Sequence, residues 1–230
     1  PTGVFNGKTV LLPQQEPYHF QPGDNDLAIY GVYPGEQIGL RSSGALRQTA
    51  VDTIMLLNSW TQMNSFPTLF PAAVRVGVPF EIVRQRLVSG IKRFMPPSGY
   101  LSAGGGGIEG AGGILAVSEM LLQSWDGVLR LFPVWPPKRD ARFSRLRAVG
   151  AFLVSATLEN GVVANWTVTS EVGSDCSFES PWVDDGVVPQ VHDDEQGSAV
   201  VVRHNVVERS REFVFATVAG HTYKILAPPL

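Results

Sequence analysis

The residues best suited to chemistry lie in the stretch Leu101-Ser-Ala-Gly-Gly-Gly-Gly-Ile-Glu-Gly-Ala-Gly-Gly-Ile114. Seven of the ten residues from Gly104 to Gly113 are glycine, with one carboxylate, Glu109, among them. Lacking a Cβ, glycine lets the backbone approach a ligand or a neighbouring segment closely. An acid held in such a loop, at the start of an apolar helix-like run, can exchange protons with a bound substrate. It can equally cap the helix or stay solvated at its positive end. Glu36, in Pro34-Gly-Glu-Gln-Ile38, is a weaker acid candidate; its plainer reading is a loop or helix-start carboxylate. Amides and aromatics form a third group: Asn58, Trp60 and Asn64 in Leu57-Asn-Ser-Trp-Thr-Gln-Met-Asn-Ser65. Sugar hydroxyls need amide partners and a sugar ring stacks on an aromatic face, so this mixture suits a glycan. Tyr100, beside the glycine loop, joins them as a substrate-binding candidate.

These residues must be held by regular elements. Residues 1–35 are rich in Pro, Gly, Gln and Asn and read as loops and short extended pieces. Leu46, Ala50, Ile54 and Leu57 recur at helical spacing and predict one helix from about Ser42 to Ser65. A second helix is predicted over Phe66–Val76, with prolines near its opening turn, and a third over Pro79–Val88. A fourth runs from Gly112 or Gly113 to about Ser124. The character changes near Trp125-Asp-Gly127. Beyond it come β-branched and aromatic runs at Val128–Phe132, Ala151–Ala156, Val162–Thr169, Ser198–Val202, Glu212–Val218 and Tyr223–Leu226. Asn160-Gly161 between two of them is a hairpin turn signal. The expected architecture is α+β: a loop segment at 1–35, a helical portion at 36–126 and an antiparallel β-sandwich at 127–230.

Composition removes several function classes. With 18 basic and 21 acidic residues and a formal charge of -3, no basic field points to nucleic acid. The 44% hydrophobic content supports a real core. A single cysteine, Cys176, excludes an internal disulfide, and it reads as a buried small residue. His19, His192, His204 and His221 show no ligand spacing, and no metal or cofactor is called for. No apolar run reaches the roughly 20 residues of a bilayer span. The opening Pro1-Thr-Gly-Val-Phe5 carries neither a signal peptide nor an initiator methionine, which reads as a processed or truncated chain. Arg139, Arg142, Arg145 and Arg147 read as a solvated connection, and Trp125, Trp135 and Trp182 as structural. Glu119 reads either as the partner of an arginine or as a catalytic acid.

Four segments carry a family resemblance: Tyr30-Gly-Val-Tyr-Pro-Gly35, Ile108-Glu-Gly110, Glu119-Met-Leu-Leu-Gln-Ser124 and Leu131-Phe-Pro-Val-Trp-Pro136. Their order resembles the C-terminal part of glycoside hydrolase family 95, the (α/α)6-barrel alpha-L-fucosidases and their relatives. Leu146-Arg-Ala-Val-Gly150 is similar to the segment that opens the family's terminal β domain. The resemblance covers roughly residues 30–175. It implies the last barrel helices, a trailing β-sandwich and inverting hydrolysis of terminal sugars from glycans. Inversion needs two separated carboxylates, one protonating the leaving oxygen and one assisting the attacking water. Glu109 falls where the family carries the aspartate of Ile-Asp-Gly, with one residue fewer before Glu119-Met-Leu-Leu122. The general acid and the activating asparagines would lie upstream of Tyr30.

The resemblance therefore implies a partial enzyme whose partner is an oligosaccharide and whose activity requires an upstream polypeptide. A partial barrel would leave an apolar helical surface between residues 40 and 124. The alternatives are a non-catalytic carbohydrate-binding or structural module, and a pseudoenzyme. An extracellular or periplasmic setting suits a glycan-degrading parent.

Overall fold

The structure, a computed structural model, describes residues 1–15, 19–62, 64–95, 97–98, 111–182, 187–204 and 211–227. The fold is α+β, and the chain divides into two compact units, Pro1–Met120 and Leu121–Leu230. Among the described residues no helix is long and apolar enough to cross a membrane.

The first unit opens with a hairpin of β1 (Thr2–Phe5) and β2 (Lys8–Leu11). The two-residue turn is Asn6-Gly7, both at positive φ (48° and 73°), as a primed hairpin turn requires. Helix α1 spans Gly44–Leu57 and holds the hairpin: the Leu11 amide donates to Thr53 Oγ1 at 2.8 Å. Ser43 caps its start, its hydroxyl accepting from the Leu46 amide. The helix ends eight residues before the expected Ser65, because Asn58 takes a left-handed conformation (φ 50°) that asparagine tolerates.

Helix α2 (Phe66–Arg75) has Pro67 in its first turn and Pro71 in its interior. Helix α3 (Phe80–Phe94) outruns the predicted Val88 by six residues. Glu81 in its first turn and Lys92 and Arg93 in its last match the helix dipole. Helix α4 spans Ala111–Leu121. The core gathers Leu57, Trp60, Phe66, Leu69 and Phe70, all essentially inaccessible to water. The Phe70 ring lies 5.0 Å from Phe66 and 5.2 Å from Trp60, and each such ring stabilises the unit by about 2–3 kcal/mol.

In the second unit β3 (Leu122–Gln123) takes the residues that the sequence assigns to the end of α4, pairing with β4 (Val128–Leu131). Six further strands of the unit follow as β5 (Ala141–Ala148), β6 (Phe152–Glu159), β7 (Val162–Ser170), β8 (Cys176–Glu179), β9 (Gln190–Asp193) and β10 (Ser198–Val200). Three more complete it: β11 (Arg203–His204), β12 (Glu212–Phe215) and β13 (Thr222–Leu226). They form a six-stranded sheet, β10-β9-β13-β7-β6-β5, and a five-stranded sheet, β11-β12-β8-β4-β3. All pairings are antiparallel except β4 with β8, which is parallel. Asn160-Gly161 turns β6 into β7, with both residues at positive φ.

Both sheets feed one apolar core that includes Phe143, Val154, Trp166, Val168, Phe178, Phe213, Phe215 and Tyr223. Cys176 is buried in it, and burial pushes its thiol up. Trp135 and Trp182 pack against the same core. The arginine segment is not a solvated connection. Arg142, Arg145 and Arg147 stand on β5, where Phe143 and Ala148 turn inward and the arginines stay exposed.

Helix packing in the first unit yields a paired test. A Cβ at Gly112 would lie 2.3 Å from the Phe66 carbonyl oxygen and 2.7 Å from Pro67 Cα, whereas one at Gly113 would meet only Leu87 and Ile91 side chains at 3.7 and 4.0 Å. Gly112→Ala is expected to cost about 1–3 kcal/mol in urea unfolding. Gly113→Ala is expected to be neutral or to stabilise by up to about 1 kcal/mol through helix propensity.

Candidate functional site

Glu109 and Tyr100 lie outside the described residues. The remaining sequence candidates fall into two neighbourhoods of the first unit, one amide-rich and one ionic.

The amide neighbourhood is built where residues 23–26 lie along residues 57–68. The Gly23 amide donates to the Leu57 carbonyl and the Ser59 hydroxyl to the Asp24 carbonyl, each at 2.6 Å. Gln62 Nε2 and Asn64 Nδ2 then both donate to Asn25 Oδ1, at 2.8 and 3.3 Å. Gln62 Oε1 accepts from the Ser65 amide at 2.9 Å. The Thr68 hydroxyl donates to Asp26. Asn64 is thus placed in a carboxamide triad with Asn25 and Gln62, two residues the sequence reading did not single out. The contact spans 39 residues, so no local pattern carries it.

The other two candidates from this segment take different roles. Asn58 is the exposed left-handed cap of α1. Trp60 is 1% exposed and packs on Phe70. A stacking platform needs an open ring face, and Trp60 offers none; its ring belongs to the core.

Asp26 is wholly buried, yet only one of its carboxyl oxygens has a donor; Oδ1 meets none among the described residues. Burial raises its carboxyl above the ordinary value, and the Thr68 hydrogen bond offsets only part of this. The Ser65 hydroxyl lowers it slightly from nearby without forming a well-shaped hydrogen bond.

The ionic neighbourhood centres on Arg75, 5% exposed. Its Nε and Nη2 donate to Glu119 Oε1 at 3.0 and 2.7 Å, and Nη1 donates to the Val32 carbonyl at 3.4 Å. The guanidinium carbon sits 4.6 Å from the centre of the Tyr33 ring, a cation–π distance. Glu36, at φ 55° and half exposed, reaches within 3.9 Å of Arg75 Nη1. Burial pushes the Glu119 carboxyl up, and the hydrogen bond and charge of Arg75 pull it part of the way back. Of its two sequence readings, Glu119 is observed in the arginine-paired one.

In the second unit Asp193, Glu195 and His221 bring potential ligand atoms within 4.8 Å of one another, although the histidine spacing gives no such sign. Each has a structural duty. Asp193 Oδ1 accepts from the Glu195 and Gln196 amides at 3.0 Å, and Oδ2 lies 2.8 Å from His221 Nδ1. Glu195 accepts from the Thr222 amide at 2.7 Å. Burial alone would raise the Asp193 carboxyl, but the His221 ring and these amides outweigh it and hold it low. The group fastens the turn after β9 to the start of β13.

No protein-family model matches the chain, and no curated protein matches it.

Two tests follow from the buried charges. Arg75→Ala strands the Glu119 carboxylate and is expected to cost about 3–5 kcal/mol in denaturant unfolding, while Arg75→Met with Glu119→Leu recovers most of the loss. For Asp26 the folded-state value lies above the unfolded one, so its stability contribution is greatest below the unfolded value and is lost as pH rises towards the folded value. Asp26→Asn is therefore expected to melt higher than wild type at pH 8, with the gap narrowing towards pH 4.

Proposed function

We propose that the chain is the C-terminal part of an alpha-L-fucosidase-like glycoside hydrolase that removes terminal sugars from glycans with inversion. The observation that carries this reading is the succession of elements around the most family-like motif. A helical unit ends in α4 at Glu119-Met-Leu121, and Leu122-Gln123 at once begins an antiparallel-rich β unit. This is the order in which the last helices of an (α/α)6 barrel meet a trailing β-sandwich. In this reading the six- and five-stranded sheets, which share one core, are that sandwich.

The exposed side chains of the helices support it too. On α4 Ile114 and Val117, one turn apart, are 71% and 41% exposed, although the helix is apolar nearly all round. Val88 on α3 and Leu46 on α1 are also exposed. A helix apolar on every side belongs among other helices, and upstream barrel helices would cover this one. Glu109 then assists the attacking water, and an upstream carboxylate protonates the leaving oxygen.

The test compares a parent polypeptide carrying the upstream region with the 230-residue chain on aryl α-L-fucosides and galactosides. Hydrolysis by the parent and none by the chain alone is expected. Glu109→Gln in the parent should lower kcat by roughly 10²–10⁴-fold. A parent inert on every glycoside would leave a carbohydrate-binding or structural module, and full activity of the Gln variant would remove Glu109 from the chemistry.

A further inference from the structure

We infer that Asn25, Gln62 and Asn64 form a hydroxyl-binding patch for a neutral sugar, a subsite that rests on the glycoside-hydrolase reading. The argument begins with hydrogen-bond capacity. A carboxamide offers two N–H donors and an oxygen with two lone pairs. Asn25 Oδ1 is filled by Gln62 and Asn64, which leaves both of its N–H groups unclaimed among the described residues. One N–H each remains on Gln62 and Asn64, and so does the Asn64 carbonyl oxygen. Asn25 and Gln62 are half-buried and Asn64 is exposed. The result is a surface cluster of donors with one acceptor, the complement of a row of sugar hydroxyls.

The cluster is held in place before any ligand arrives. The bonds from the Gly23 amide to the Leu57 carbonyl and from the Ser59 hydroxyl to the Asp24 carbonyl fix the backbone before Asn25, and the Thr68 hydroxyl holds the Asp26 side chain after it. A fixed donor set lowers the ordering cost of binding. Nearby in sequence, Asp26 Oδ1 and Ser65 Oγ are fully buried and make no well-shaped hydrogen bond among the described residues, and the Ser65 hydroxyl acts on the Asp26 carboxyl.

The experiment uses the 230-residue chain and follows the side-chain NH2 resonances of Asn25, Gln62 and Asn64 while L-fucose, methyl α-L-fucoside or D-galactose is added. Saturable shifts at these three amides are expected, and Asn25→Ala should weaken binding tenfold or more. Asn64→Ala, which removes one exposed 3.3 Å bond and cannot unfold the chain, should weaken it about threefold or more. Absence of shifts with every sugar, or shifts unchanged in Asn64→Ala, overturns the patch. The two readings fail separately. A hydrolytic parent whose KM is untouched by Asn64→Ala overturns the patch alone. Sugar-induced shifts in a chain whose parent hydrolyses nothing overturn the enzyme reading and leave the patch standing.

Discussion

The helical unit depends on the neutralisation of one buried cation. Arg75 ends α2 in a place almost closed to water, and a guanidinium there is tolerable only if its N–H groups and its charge are answered. Glu119 of α4 answers the charge, the Val32 carbonyl takes another N–H, and the Tyr33 ring covers a face. These contacts bind α2, α4 and the loop around residue 33 into one arrangement, because none of the three can shift without uncovering a charge. Apolar contacts fill the space around the pair and tolerate small displacements. The ion pair has a single good geometry, so it sets register where the core alone would set only compactness.

The helices and strands β6 and β7 are legible because their signal is periodic and local: Leu46, Ala50, Ile54 and Leu57 for α1, and Val162 to Thr169 for β7. The end of α1 is not, since a polar run after Leu57 does not say which asparagine will turn left-handed. Strand β5 is hidden in the sequence because its arginines mask an alternation in which Phe143 and Ala148 point inward. The site divided along the same line. Amide-rich composition drew attention to residues 57–65, but Asn25, the acceptor on which the amides converge, lies far back in the sequence. Trp60 shows the converse. A tryptophan among amides looks like a sugar platform until the core closes over it.

The two units use buried polar groups differently. In the β unit Asp193 is buried yet fully engaged by two amides and a histidine, and it acts as the knot of a turn. In the helical unit Asp26 is buried with one oxygen that no well-shaped hydrogen bond reaches among the described residues. A satisfied acid rigidifies its surroundings, whereas an unsatisfied one stores a demand for hydrogen bonds.

Strand β5 has a further consequence for the molecule in solution. It lies at the border of the six-stranded sheet, where an outward row of unpaired backbone groups would template another chain. Its register shifts between Phe143 and Leu146, and Arg145 there adopts φ 55°. Three arginines line the same strand. An interrupted ladder is a poor guide for an added strand, and the arginines put charge along this border, Arg147 being paired with Glu171. This border of the sheet, broken by a bulge and lined by exposed arginines, is therefore a poor template for a further strand.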